Sequence, residues 1–270
     1  VNQPTHIGHA NMNQSYWDQL SSEFDDKVLQ ISQCDTKGVI ADAAHRLRGR
    51  HKNAIDFGCG PGAVTRIISP HFNHTTGVDF SASLLQRARR LTTDESIHYE
   101  RRNLEKAPSP KNPEYDVGFC VNVLIHEKAA IRHRICSHIC SSIRAGGHLV
   151  LVVPSYESAL RTYQALARCH QRDGLSPVRA HRRLDQQATG EMRSLTDGII
   201  GVGGTATKHY LHDEIAEFLA DHGAQIEGIE RVGFPWSEEI DHAPPWLGAP
   251  TPWDWLVQGK ITALRRKGQR

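Results

Sequence analysis

The sequence lacks a strong charge of either sign. Its 32 basic and 30 acidic side chains leave a formal charge of only +2, so no field advertises nucleic acid or an anionic membrane as partner. It also lacks long apolar runs. The longest clean stretch, residues 149–153, is strand-sized, far short of the roughly 18 residues that a spanning helix needs. Paired cysteines are missing as well: Cys34, Cys59, Cys120, Cys136, Cys140 and Cys169 form no CxxC, which suits a reducing compartment better than a disulfide framework. The first residues, VNQPTHIGHANMNQ, have neither the basic nor the apolar region of a signal peptide. These absences predict a soluble, cytoplasmic protein that binds neither nucleic acid nor membrane. What is present is ordinary for a globular chain: apolar residues make up 39%, and the 22 glycines bring that share to about 47%.

Histidine is plentiful, with 17 residues, but dispersed. His133, Cys136, His138 and Cys140 are the one cluster with metal-ligand chemistry, and three of them share a helical face. A structural zinc normally draws ligands from a knuckle and a second element, so the expected assignment is an amphipathic helix buried along Ile131, Ile135, Ile139 and Ile143, with the cysteines flanking it and no metal.

Apolar residues at helical spacing over 16–47 predict two or three short helices. Beyond them short apolar runs (54–57, 75–78, 97–100, 116–121, 148–153) alternate with helical patterns (63–68, 81–91, 128–143), the signature of βαβ units and a parallel sheet. Residues 157–170 read as a helix, and 173–204 as a polar stretch without regular structure. The αβ rhythm returns with a helix over 213–222, a strand over 225–232 and a last strand over 256–264. The expected division is an N-terminal arm and helical lid (1–48), a ligand-binding half (49–155), a cap insertion (156–207) and a return to the same sheet (208–270).

The most informative segment is AIDFGCGPG, residues 54–62. A strand delivers Asp56, and Gly58, Gly60 and Gly62 follow at alternate positions before a helix. Glycines there allow positive φ and let the backbone approach a ligand closely. Asp79 ends the next strand, where a carboxylate can accept from ribose hydroxyls. The G-x-G-x-x-G of dinucleotide-binding enzymes is not matched, Pro61 removes one N–H from the turn, and Asp56 would repel a pyrophosphate while suiting a cationic amino-acid moiety.

These residues resemble the class I S-adenosylmethionine-dependent methyltransferases, whose first motif is an acid followed by G-x-G-x-G. The resemblance covers roughly residues 50–155. It implies a Rossmann-like fold: a seven-stranded, mostly parallel sheet with an antiparallel last strand and helices on both faces. It implies S-adenosyl-L-methionine as cofactor, yielding S-adenosyl-L-homocysteine. The implied cofactor residues are Tyr16, Asp56, Gly58, Gly60, Gly62, Asp79, Phe80, Asn103, Leu104, Cys120 and Asn122. Asn103 departs from the Asp common there and, read alone, equally makes a turn; Tyr16 equally anchors its own helix.

The acceptor is narrowed by absence. No [DN]-P-P-[YF] and no Pro-Cys follow the fourth strand, where CVNVLIHE stands, which disfavours DNA bases. The connection PWSEEIDHAPPWLGAPTPW carries Trp236, Trp246 and Trp253 among acids, with Trp255 just after it. Aromatic faces and carboxylates suit an amine or zwitterion, and tryptophans closing the sheet edge are the plainer alternative. The expectation is methylation of a small molecule, nitrogen favoured over oxygen, by a monomer or homodimer. His126 and Glu238 are the proton acceptors expected, and Tyr156, Tyr210, Trp236 and Glu239 the substrate contacts. The alternatives are protein or peptide methylation and a non-catalytic cofactor-binding subunit.

Overall fold

A computed structural model describes residues 31–108, 110, 112–202 and 205–262. Tyr16 and most of the N-terminal arm lie outside the described residues. The first described elements are α1 (Ile31–Cys34) and α2 (Val39–Leu47), followed by β1 (Gly49–Phe57), α3 (Ala63–Ile68), β2 (Phe72–Asp79), α4 (Ala82–Arg90), β3 (Ile97–Arg101) and β4 (Tyr115–Val121). Then come α5 (Ala129–Ser142), β5 (Ile143–Pro154), α6 (Tyr156–Arg172), α7 (Pro177–Glu191), and three short strands, β6 (Met192–Ser194), β7 (Ile199–Val202) and β8 (Thr205–Lys208). The chain ends with α8 (His212–Asp221), β9 (Ala224–Gly233) and β10 (Trp253–Ile261).

Seven strands form one sheet in the order β3-β2-β1-β4-β5-β10-β9. The β1–β2, β1–β4, β2–β3 and β4–β5 pairs are parallel, while β10 runs antiparallel to both neighbours. This is the expected Rossmann-like sheet, with its antiparallel strand second from one edge. Strand alternation sorts the core into two faces. Ile55, Phe57, Leu149, Leu151, Val153 and Val257 pack with Cys136, Ile139, Ile215 and Leu219 of α5 and α8. Ala54, Val117, Phe119, Val150, Val152 and Leu256 pack with α1, α2 and α3 through Ile31, Ile40, Ala43, Val64 and Ile68. Burial on both faces explains why β5 reads as a continuous apolar run, and each such Val, Leu or Ile contributes roughly 1.5–3 kcal/mol.

Three expectations need correction. Cys136 and Cys140 lie in the core rather than flanking the apolar stripe of α5, and Ile143 opens β5. Residues 173–204 are not irregular: α7 fills half of them, and β6, β7 and β8 form a three-stranded antiparallel sheet. The last strand begins at Trp253, so Trp253 and Trp255 belong to the sheet and not to the connection before it.

The inserted unit is tied to the main sheet beside the end of β4. His126 bridges Thr207, Lys208 N–H donates to Ile125 O at 2.8 Å, and Tyr210 Oη donates to Leu124 O at 2.7 Å. The residues following β4 are thereby held on one side by the insertion.

Candidate active site

Strand order reverses between β1 and β4, and in open α/β sheets such a crevice at the carboxyl ends of the strands is where ligands bind. The glycine turn leaves β1 at this point. Gly58, Gly60 and Gly62 all have left-handed backbones, with φ of 68°, 51° and 80°. A Cβ on Gly58 would stand 2.4 Å from Val123 Cγ2, and one on Gly62 2.3 Å from Tyr99 Oη. Side chains are excluded there for two independent reasons, conformation and space. Gly58 and Cys59 N–H both donate to Val78 O, at 2.7 and 3.0 Å.

The two acids predicted beside the turn are there, in different roles. Asp79 accepts from Gly60 N–H at 3.0 Å with one oxygen and from Ser81 N–H at 2.8 Å with the other, so it joins the glycine turn to the entry of α4. Asp56 is only 1% exposed and its Oδ2 accepts from Thr65 Oγ1 at 2.6 Å. It sits behind the turn instead of lining its outer surface. Burial pushes its carboxyl up to about 7, with Asp79 adding to the shift and Thr65 opposing it. Thr65, unforeseen from the sequence, is its partner.

Of the other predicted cofactor residues, Phe80 is half-buried next to Asp79. Asn103 closes a turn, its Oδ1 accepting from Glu105 and Lys106 N–H at 3.0 and 3.2 Å. Leu104 and Cys120 are buried in the α5-side core, so Cys120 can meet a ligand only through its backbone. Asn122 is the most informative. It ends β4 with φ 55°, rare for a residue with a side chain. Its Nδ2 reaches Asp254 Oδ2 at 3.4 Å, and its Oδ1 is buried without a hydrogen-bond partner among the described residues. Unpaired buried carbonyls are uncommon.

The expected catalytic and substrate residues fare less evenly. His126 Nδ1 accepts from Lys128 N–H at 3.0 Å, so the neutral ring carries its proton on Nε2 and has no free basic nitrogen; burial also lowers its pKa. It is a poor general base and serves instead to fix the insertion. Tyr210 is 1% exposed with its hydroxyl given to Leu124 O, and Tyr156 Oη donates to Leu195 O at 3.1 Å; both are framework. Trp236 packs against Ala165, Ile240 and Leu247, with its indole N–H donated to Gly248 O at 3.1 Å.

The aromatic faces are also already occupied. Arg161 lies 5.6 Å over Trp236, Arg172 and Arg168 lie 4.0 and 5.3 Å over Trp246, and Arg231 covers Trp253 at 4.1 Å and Trp255 at 5.6 Å. The tryptophans therefore clamp the connection to α6 and close the sheet edge, and they do not form an open cage for a cation.

Carboxylates do converge near Asn122. Asp254, missed in the sequence because it stood in a presumed loop, is 5% exposed on β10 and accepts from Asn122 and from Ser155 N–H. Burial pushes it up to about 7. Glu239 reaches about 7 as well, through surrounding protein first and then the charges of Asp254 and Glu238. Glu238 is exposed and faces Cys34 of α1, whose thiol is raised by its surroundings and by this acid. Tyr163 Oη donates to Glu191 Oε2 at 2.6 Å, joining α6 to the end of α7 near Glu239.

A turn too tight for side chains, with acids behind and beside it, fits a ligand with a cationic amino-acid end. The arrangement defines a Rossmann-like protein of the methyltransferase kind. Comparison with known proteins agrees. Residues 54–147 match the family described as "Methyltransferase domain", in line with the resemblance carried by the glycine turn and its acids. The ubiquinone biosynthesis O-methyltransferase of Serratia proteamaculans is 29% identical over 102 residues, covering 36% of this chain and 41% of that protein. The chain thus spans about two fifths of the length of that curated relative. Two solved structures share the fold: N-methyltransferase NodS from Bradyrhizobium japonicum with S-adenosyl-l-homocysteine (TM-score 0.56, 14% identity, 94% of this chain and 100% of that one), and magnesium protoporphyrin IX methyltransferase from Synechocystis (TM-score 0.56, 12% identity, 94% and 100%).

Proposed function

We propose that the protein transfers a methyl group from S-adenosylmethionine to a small-molecule acceptor enclosed by the insertion over residues 156–207, working as a monomer or homodimer without nucleic acid. The observation that carries this reading is the run of three left-handed glycines at the switch point, with no room for a Cβ at Gly58 or Gly62. The six free thiols support a reducing, cytoplasmic setting, and no helix among the described residues is long and apolar enough to cross a membrane.

The cofactor, when bound, supplies an electrophilic methyl on a positively charged sulfur. What the chain does is bind, orient and exclude water. The glycine turn and Asp79 would hold the nucleoside side; the backbone around Cys120 and Asn122 would hold the amino-acid side. Displacement at a methyl carbon needs the acceptor atom in line with the departing sulfur, so positioning supplies most of the rate enhancement. Water is kept out by α6 and the connection over 234–252, which the arginine–tryptophan contacts hold together. Two carboxyls with pKa raised to about 7, Asp254 and Glu239, are matched to receiving a proton near neutral pH.

An amine or zwitterion is the acceptor that these acids favour. Oxygen methylation is the second reading, favoured by the Serratia relative's name. The test is calorimetric binding of S-adenosylmethionine and S-adenosylhomocysteine, followed by mass detection of methyl gain across amines, amino acids, phenols and peptides. Micromolar binding with methyl gain on a small molecule is expected. No binding of either nucleoside sinks the reading, and methyl gain on peptides alone replaces it with protein methylation.

A further inference from the structure

We infer that the acceptor enters as an amine because the groups gathered at the end of β4, the start of β10 and the connection before it offer hydrogen-bond acceptors: Asn122 Oδ1 and the ionised carboxylates of Asp254 and Glu239. This rests on the methyl-transfer reading above and narrows it to a substrate class.

The orientation of the Asn122 amide decides the polarity of this cluster. Its Nδ2 points to Asp254 Oδ2 at 3.4 Å; the reversed amide would press its carbonyl oxygen against a carboxylate. Oδ1 is consequently the free end, buried with no donor to it among the described residues. The left-handed backbone of Asn122 places this amide at the switch point beside Val123, which lies against the Gly58 turn. Asp254 is fixed from the other side by the Ser155 N–H. Glu239 is exposed and close enough to Asp254 to feel its charge, and its carboxylate makes no hydrogen bond or ion pair among the described residues. No lysine or arginine pairs with Asp254 or Glu239 among the described residues.

An Asn carbonyl and two ionised carboxylates can only accept. A hydroxyl offers them one hydrogen, whereas a protonated primary amine offers three and a positive charge that the carboxylates lack locally. After one proton has left for water, the nitrogen lone pair forms the C–N bond as the C–S bond breaks, and sulfur keeps that bond's electron pair. The second proton released from nitrogen passes to Asp254 or Glu239 and then to water.

The test is titration of the full chain, saturated with S-adenosylhomocysteine, with four amines (benzylamine, phenethylamine, putrescine, glycine) and their hydroxyl isosteres (benzyl alcohol, 2-phenylethanol, butane-1,4-diol, glycolate). At least one amine is expected to bind about tenfold or more tightly than its isostere. Glu239→Gln and Asp254→Asn should each weaken that amine by about tenfold while S-adenosylhomocysteine affinity stays within about twofold. Should Asp254→Asn fail to fold, Glu239→Gln alone carries the test. Equal binding of amines and isosteres, no amine binding to a complex that holds the nucleoside, or unchanged amine binding in a folded variant overturns the inference. Failure to bind the nucleoside at all sinks the methyltransferase reading instead.

Discussion

Gly62 is a position where one methyl group answers a question about the cofactor turn. Its φ of 80° is in the region L-residues avoid, and an added Cβ would stand 2.3 Å from Tyr99 Oη. Tyr99 cannot retreat freely, because its hydroxyl lies 3.0 Å from Thr92 Oγ1 and its ring is buried among Cys59, Leu85 and Ala88. Gly62→Ala should therefore cost about 1–3 kcal/mol of stability and lower S-adenosylhomocysteine affinity by about tenfold or more; a thermal melt and a calorimetric titration read the two effects. A variant that binds normally would mean that the turn does not approach the nucleoside. At this scale much was legible: the positive φ of Gly58, Gly60 and Gly62, and the acids at 56 and 79, follow from local spacing. Contacts were not. That Asp56 faces Thr65 and sits behind the turn, or that the proton on His126 occupies the wrong nitrogen for a base, depends on neighbours that no spacing reveals.

At the scale of elements, the insertion is fastened by a buried cation. Lys208 closes β8 with its side chain 1% exposed; Nζ donates to Asp197 O at 2.7 Å and pairs with Glu214 in the first turn of α8. Removing one partner of a buried pair leaves the other uncompensated, a loss of about 3 kcal/mol or more for fully buried pairs. Glu214 is itself partly exposed, so Glu214→Ala should cost less, about 1–2 kcal/mol. Lys208→Met, which removes the charge that needs a partner, should cost less than Glu214→Ala, and chemical denaturation of both variants checks the order. The opposite order would show that the aliphatic stem of Lys208, not its charge, fastens β8. The insertion was the least legible part of the sequence. In α7 the residues between Val178 and Gln186 bury only Ala180 and Leu184, too few to establish a helical period, and β6, β7 and β8 are three or four residues long. The start of β10 was missed because Pro252 and Asp254 read as loop residues, although Trp253, Trp255 and Val257 alternate on one face.

The molecule as a whole was legible where its order is local and illegible where it is not. Alternating strands and helices announced the sheet, but Asp254 meets Asn122 across 132 positions of sequence, through an antiparallel register that pairs Asp254 with Pro154. One global property follows from burying acids around such a crevice. Burial pushes Asp56 and Asp254 up to about 7 in the folded chain, above the ordinary carboxylate range near 4. The folded protein thus holds protons that the unfolded chain has released between about pH 4 and 7, and the stability these groups contribute falls as pH rises through that window. His209 works in the opposite sense: burial lowers it to about 4, so its contribution is present above the ordinary histidine value near 6.5 and lost as pH falls toward 4. The wild-type profile mixes both signs, and a difference between proteins separates them. Asp56→Asn keeps a side chain of the same shape beside Thr65 but no longer ionises. Melting temperatures of the ligand-free wild type and variant should therefore converge, or cross in the variant's favour, on going from pH 5 to pH 8, by at least about 2 °C. A constant gap between the two melting temperatures across that range would mean that Asp56 is ionised throughout and that its charge is met by something other than Thr65.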